Sequence, residues 1–133
     1  MTETHCIHVV IGLVLNKKKQ VLIARRQKGQ HLAGFWEFPG GKLEPSETPT
    51  QTLKRELLEE VNVTPIKPQP FMQQSHDYDD RTVFLDFWLV EDFSGEVAAN
   101  EAQEIRWVAL PELINYKFPE ANGAVLSRLL NLG

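Results

Sequence analysis

Glu56, Glu59 and Glu60 stand at positions i, i+3 and i+4 of one segment, with Arg55 beside them. On a helix, at about 100° per residue, all three fall within one arc of roughly 100°. Like charges at these spacings cost a helix roughly a few tenths of a kcal/mol per pair. They also lie toward the C-terminal half, where the helix dipole disfavours negative charge. Local stability does not account for them. A hard divalent cation does, because Mg²⁺ or Mn²⁺ prefers oxygen ligands and cancels the repulsion. The competing reading is a solvated face, with Lys54 and Arg55 neutralising part of the charge. The upstream run Phe38-Pro39-Gly40-Gly41-Lys42 favours the cation. A Gly-rich loop ahead of an acidic helix brings backbone close to a ligand, and the two together predict a metal-phosphate site.

The helix that must present these carboxylates is marked at both ends. Thr48 is a good N-cap, Pro49 suits the first helical position, and Gln51 completes a capping box with Thr48. Leu53, Leu57 and Val61 recur at four-residue spacing and should face the core. Asn62 stands where a helix commonly ends in a left-handed residue, and Pro65 prevents continuation. The predicted helix spans about residues 48–61.

Strands are predicted at Ile7–Leu15 and Val21–Ala24, with the polar stretch Asn16–Gln20 turning between them as a hairpin. Thr82–Val90 is a strand rich in β-branched and aromatic residues, Phe71–Ser75 leads into it as a partner, and Glu104–Ala109 is another. Leu110–Asn115 reads as a short helical turn. Val125, Leu126, Leu129 and Leu130 give Ala121–Leu130 a helical spacing. Strands with a mid-chain and a C-terminal helix imply a mixed sheet covered by helices.

The 133 residues fit one domain, 1–133, with 42% apolar and 24% charged residues and a net charge of −4. That balance argues against broad attachment to nucleic acid or an anionic membrane. Positive charge for phosphate must come from a few Arg and Lys or from bound metal. Cys6 is the only cysteine, which excludes an internal disulfide and thiolate metal clusters. The apolar run Ile7–Leu15 is too short to span a bilayer, and Lys17 to Lys19 follow it, whereas a secretory signal carries its charges ahead. A cytoplasmic protein is expected, and a monomer is compatible with the sequence.

Gly41 to Val63 resembles the Nudix box: Gly, five residues, Glu, seven residues, Arg-Glu, an aliphatic, any residue, Glu-Glu, any residue, Gly, an aliphatic. Gly41, Glu47, Arg55, Glu56, Leu57, Glu59, Glu60 and Val63 match, and Asn62 replaces the last Gly. The substitution falls at the helix stop, where Asn is tolerated. Ala24-Arg25-Arg26, Glu37 to Lys42, Phe87-Trp88-Leu89-Val90, Trp107 and Phe118-Pro119-x-Ala121-Asn122 resemble the MutT branch of that family.

The resemblance implies an α/β/α sandwich with a mixed sheet flanked by helices. It implies metal-dependent hydrolysis of 8-oxo-dGTP or another oxidised purine nucleoside triphosphate, attacked at the β-phosphorus. The products would be monophosphate and pyrophosphate, the role nucleotide-pool sanitisation and mutation avoidance. By the same likeness, Glu56, Glu59 and Glu60 hold Mg²⁺ (or Mn²⁺) or activate water, and the Gly40 carbonyl completes the metal site. Glu47 supports the helix glutamates, Arg55 orients them, and Glu101 adds an acidic group. Glu56 is the expected base, with Glu101 and Glu47 as alternatives. Arg26 and Lys42 are the phosphate partners, while His31, Glu37, Phe38, Pro39, Gly40, Arg81 and Asn122 map near the nucleotide. Asn122 can both donate to and accept from a purine edge. Phe87 and Trp88 read as core, and His5, His8 and His76 receive no role. Two alternatives stay open: another nucleoside diphosphate derivative or pyrimidine triphosphate as substrate, and a non-catalytic nucleotide-binding module.

Overall fold

The computed structural model describes residues 5–132. Strand β1 (His5–Val14) lies at the centre of a four-stranded sheet of order β4-β1-β7-β6, formed with β4 (Gly40–Lys42), β7 (Arg81–Val90) and β6 (Gln69–Asp77). Strands β1 and β7 run parallel, with Val10 opposite Asp86, and the other pairs are antiparallel. The sheet is therefore mixed, as expected. Strand β2 (Gln20–Arg25) pairs with β3 (Trp36–Glu37) and β9 (Ile105–Ala109) in a second sheet. A small ribbon joins β5 (Thr64–Pro65) to β8 (Phe93–Ser94).

Successive side chains of a strand point to opposite faces, and β1 uses both. Ile11 and Leu13 enter one core with Phe87, Val21, Ile23, Trp36 and Phe38, closed by a 3₁₀ turn at Leu110–Asn115 and by helix α2 (Gly123–Leu130). Val10 and Val14 enter a second core against helix α1 (Pro49–Val61), which contributes Leu53, Leu57 and Val61. Phe87 is fully buried and Trp88 packs on the second core, in line with the sequence. No helix of the described residues is long and apolar enough to cross a membrane.

The start, buried face and stop of α1 all match expectation. Thr48 caps it, with the Thr48 hydroxyl accepting from the Gln51 N–H and the Gln51 side chain accepting from the Thr48 N–H. Asn62 closes it in the left-handed region at φ 63°.

Three expectations need correction. The segment Asn16–Gln20 does turn, around the Asn16 side chain, but only the single bridge Leu15 to Val21 joins β1 to β2. Both edges of β1 are already taken by β4 and β7, so β2 departs into the other sheet. The Gly-rich stretch is no free loop: Gly40–Lys42 is strand β4. A Cβ at Gly40 would strike the Val10 carbonyl and Ile11 Cα, so this pairing requires glycine. Helix α2 begins at Gly123, after a 3₁₀ turn at Glu120–Asn122. The Gln74 amide takes the Ala121 carbonyl at 2.9 Å, an acceptor that an α-helix begun at Ala121 would have used.

Because Asn62 holds a left-handed conformation, Asn62→Ala is expected to lower stability by about 1–2 kcal/mol, the cost of that conformation to an ordinary L-residue. Asn62→Gly relieves the conformational cost and loses only the side-chain bond to the Glu96 carbonyl. Urea unfolding midpoints of both variants check the order.

Candidate active site

Helix α1 does not present its three glutamates alike. Glu59 points outward and is 57% exposed. Glu56 and Glu60, one turn apart, lie inward against β4. The Gly40 N–H donates to Glu60 Oε2 at 3.0 Å. A Cβ at Gly41 would collide with the Glu56 carboxylate, so Glu56 rests on bare backbone.

Arg55 holds the helix carboxylates in place. Its Nε and one terminal nitrogen donate to the two oxygens of Glu47 at 2.8 and 2.9 Å, and its other terminal nitrogen donates to Glu56 Oε1 at 2.8 Å. The same nitrogen is 3.6 Å from Glu59 Oε2. Such two-pronged pairing is the strongest form of charged hydrogen bond. Glu47 accepts further from the buried Thr52 hydroxyl at 2.8 Å. Arg55, followed by Thr52, holds its carboxyl down at about 2. With both oxygens engaged, Glu47 fits an anchor better than a base.

Glu60 is in the opposite situation. Burial, then the charges of Glu56 and Glu101, push its carboxyl up to about 9, against the pull of the Gly40 N–H. Burial also raises Glu37, opposed by Arg26 and reinforced by Glu101. Glu101, exposed in the loop before β9, thus acts on both groups although it sits on neither element. An all-oxygen donor set in which one member holds its proton for want of positive charge suits a hard divalent cation. Among the described residues no three His, Cys, Asp or Glu side chains converge on one point as they stand. Arg55 and the Gly40 N–H engage the carboxylates instead.

Beside this cluster a cavity of about 240 Å³ opens on the other face of the sheet. Its wall includes Arg26, His31, Glu37, Phe38, Gly40 and Asn122, six residues drawn together from four segments of the chain. Gly40 belongs to both places: its backbone lines the cavity and its N–H holds Glu60. Arg26 Nε lies 3.1 Å from Glu37 Oε2, and a terminal nitrogen donates to the His31 carbonyl at 3.0 Å. Phe38 stacks on Phe118, joining the cavity wall to the segment that carries Asn122.

Three expected contacts stand apart. Pro39 is buried and its carbonyl accepts from the Gly12 N–H, a structural position. Lys42 is exposed and pairs with the cavity residue Val9 across β1 and β4, without lining the cavity. Arg81 is exposed and packs over the Tyr78 ring at 5.4 Å, without lining the cavity. The sequence reading missed Tyr78 and dismissed His76, which line the cavity and meet edge-on at 4.7 Å between ring centres. The alternation of β6 was the available signal, since His76 sits in register with the cavity residue Val83.

A family model described as NUDIX domain matches residues 10–128. The chain belongs to the Nudix family. It is 39% identical over 126 residues to the 8-oxo-dGTP diphosphatase of Escherichia coli K12, across 95% of this chain and 98% of that protein. It is 31% identical over 123 residues to the CTP pyrophosphohydrolase of the same organism, across 92% and 91%. A solved MutT structure, from work on the Aliivibrio salmonicida and Vibrio cholerae proteins, superposes with a TM-score of 0.85 at 38% identity, covering 96% of this chain and 99% of that one. The α/β Nudix fold expected from the sequence is the fold observed, and the residues resembling the Nudix box run from β4 through the acidic helix α1.

The low Glu47 carboxyl, just ahead of the helix, depends on Arg55 within it. A depressed carboxyl contributes stability that is present above its unfolded value near 4.5 and lost as pH falls through about 2. Arg55→Met is expected to return Glu47 to the ordinary carboxylate range and remove that contribution. Carboxyl-carbon NMR titration of wild type and variant reads the shift.

Proposed function

We propose that the chain is a divalent-metal-dependent pyrophosphohydrolase that converts 8-oxo-dGTP to its monophosphate and pyrophosphate, acting in the cytoplasm to clear oxidised nucleotides. The observation that carries the reading is the acidic cluster of Glu56 and Glu60 on β4, with Glu60 held by the Gly40 N–H, beside a cavity of about 240 Å³ that the same Gly40 lines. Its substrate is inferred from the likeness to 8-oxo-dGTP diphosphatases.

Mg²⁺ or Mn²⁺ held by Glu56, Glu59 and Glu60, with Glu101 and the Gly40 carbonyl, would offset the triphosphate charge and make water a better nucleophile. The protein's own groups do the rest. Glu56, fixed by Arg55 and the bare Gly41 backbone, accepts the proton of the attacking water. Arg55 keeps Glu56 oriented, and Glu47 keeps Arg55 oriented. Arg26 would stabilise charge developing on the phosphoryl oxygens, exchanging part of its hold on Glu37. Lys42, exposed outside the cavity, would reach only a phosphate that extends out of it. In the cavity wall the Asn122 amide would read the purine edge, and Phe38 supplies an apolar surface. The competing substrate is a pyrimidine triphosphate, on the strength of the CTP pyrophosphohydrolase likeness.

A kcat/KM comparison of 8-oxo-dGTP, dGTP and CTP separates these readings. Preference for 8-oxo-dGTP is expected, and equal values for 8-oxo-dGTP and dGTP would end the oxidised-purine assignment. Glu56→Gln and Glu60→Gln are each expected to lower kcat by at least ~10²-fold, the scale of a lost acid–base group, with the fold intact by circular dichroism. EDTA should abolish pyrophosphate release and Mg²⁺ restore it.

The raised Glu60 carboxyl adds a pH signature. It contributes stability present below its unfolded value near 4.5 and lost as pH rises toward about 9. Metal-free protein should therefore weaken across that window, and Glu60→Gln should flatten the change. Cation binding should expel about one proton at neutral pH, because the ligand must be a carboxylate. Calorimetry in two buffers of different ionisation enthalpy counts it.

A further inference from the structure

The loop between β8 and β9 is stitched to the end of α1. The side-chain amide of Asn62 donates to the Glu96 carbonyl at 3.0 Å, and that of Asn100 to the Leu58 carbonyl at 3.1 Å. The Ala98 N–H donates to the Val61 carbonyl at 3.0 Å, and the Asn100 N–H to the Glu60 carbonyl at 3.1 Å. A helix leaves its last four carbonyls without internal partners, and this loop supplies donors to three of them.

Gln103 does something different. Its Nε2 donates to the Glu60 carbonyl at 3.1 Å, and its Oε1 accepts from the Glu101 N–H at 3.0 Å. One planar amide thus spans the backbones of two acidic residues, with both ends engaged. Capping alone does not call for it, because the Asn100 N–H already serves the Glu60 carbonyl. The bond to Glu101 is surplus to ending the helix. Between them Ala102 holds φ at 58°, a left-handed conformation costly to alanine. The chain accepts that strain at the residue separating Glu101 from its tether.

We infer that Gln103 is a positioning residue, a strut that fixes the Glu101 backbone to the Glu60 backbone so that the two carboxylates present as one site. The inference rests on the proposed function, in which Glu60 and Glu101 serve one cation. Gln27 Nε2 also donates to the Glu101 carbonyl at 3.1 Å, which ties Glu101 to the β2 side of the molecule. The strut adds the tie to α1, and so sets the Glu101 carboxylate relative to Glu60 before a cation binds. Gln103 itself touches neither cation nor substrate.

The test uses the full chain and reads Mn²⁺ binding by electron paramagnetic resonance, without nucleotide, together with amide exchange by NMR. Gln103→Met keeps the side-chain length and removes both bonds; Asn100→Ala removes only the bond to Leu58. Gln103→Met is expected to weaken Mn²⁺ binding by at least ~10-fold, the scale for residues that orient metal ligands. It should also speed exchange of the Glu101 N–H and lower kcat with little change in KM. Asn100→Ala should leave Mn²⁺ affinity near wild type. Unchanged affinity in Gln103→Met, or an equal loss in Asn100→Ala, overturns the strut. Should Gln103→Met fail to fold, wild-type exchange still decides: a Glu101 N–H as fast as an unbonded loop amide overturns it too. Wild-type protein that binds no Mn²⁺ would instead remove the functional reading beneath the inference.

Discussion

Everything at the acidic site follows from how closely α1 lies against β4. Glu56 and Glu60 rest on a strand whose facing residues, Gly41 and Gly40, have no side chains. A larger residue at Gly41 would hold the helix off or turn Glu56 out to solvent, where Glu59 already points, and one at Gly40 would break the pairing with β1. The close contact desolvates Glu60, and desolvation makes its negative charge costly. The glycines therefore do two opposed things at once: they make room for the carboxylates and deprive them of water. A site that tolerates its own charge only with a cation present is the natural result.

Such a helix needs stability from elsewhere. Leu53, Leu57 and Val61 are fully buried against β1 and its neighbours. Each buried aliphatic side chain contributes roughly 1.5–3 kcal/mol, well above the cost of a like-charge pair. The Arg55–Glu47 fork then neutralises the helix face nearest solvent without reaching Glu60. Apolar burial keeps α1 in place, and the fork decides which carboxylates remain in need of a counterion.

The legible part of the sequence was the part governed by local rules. Helix α1 could be read from Thr48, Leu53, Leu57, Val61 and Asn62 because cap, face and stop are all encoded within fifteen residues. The strands β1, β7 and β9 announced themselves through β-branched and aromatic residues, and β6 only as the segment leading into β7. Strand β4 did not, because its identity depends on a neighbour: two glycines become strand only when β1 offers an edge. The β1–β2 hairpin was misjudged for the same reason, since edge occupancy is a property of the whole sheet. His76 and Tyr78 lacked any motif; the place of His76 at the cavity follows from β6 register, and Tyr78 follows it in the turn to β7. Lys42 and Arg81 were assigned by likeness, and neither lines the cavity.

The two faces of β1 make the strand answerable to two tasks. Val9 and Ile11 help wall the cavity, while Val10 packs under the glutamate helix. Neighbouring residues thus belong to opposite sides of the molecule, separated by one pleat. Inserting a single residue before Val9 and keeping the hydrogen-bond ladder would exchange these allegiances in one stroke. Drift in this strand is therefore confined to replacements that respect parity.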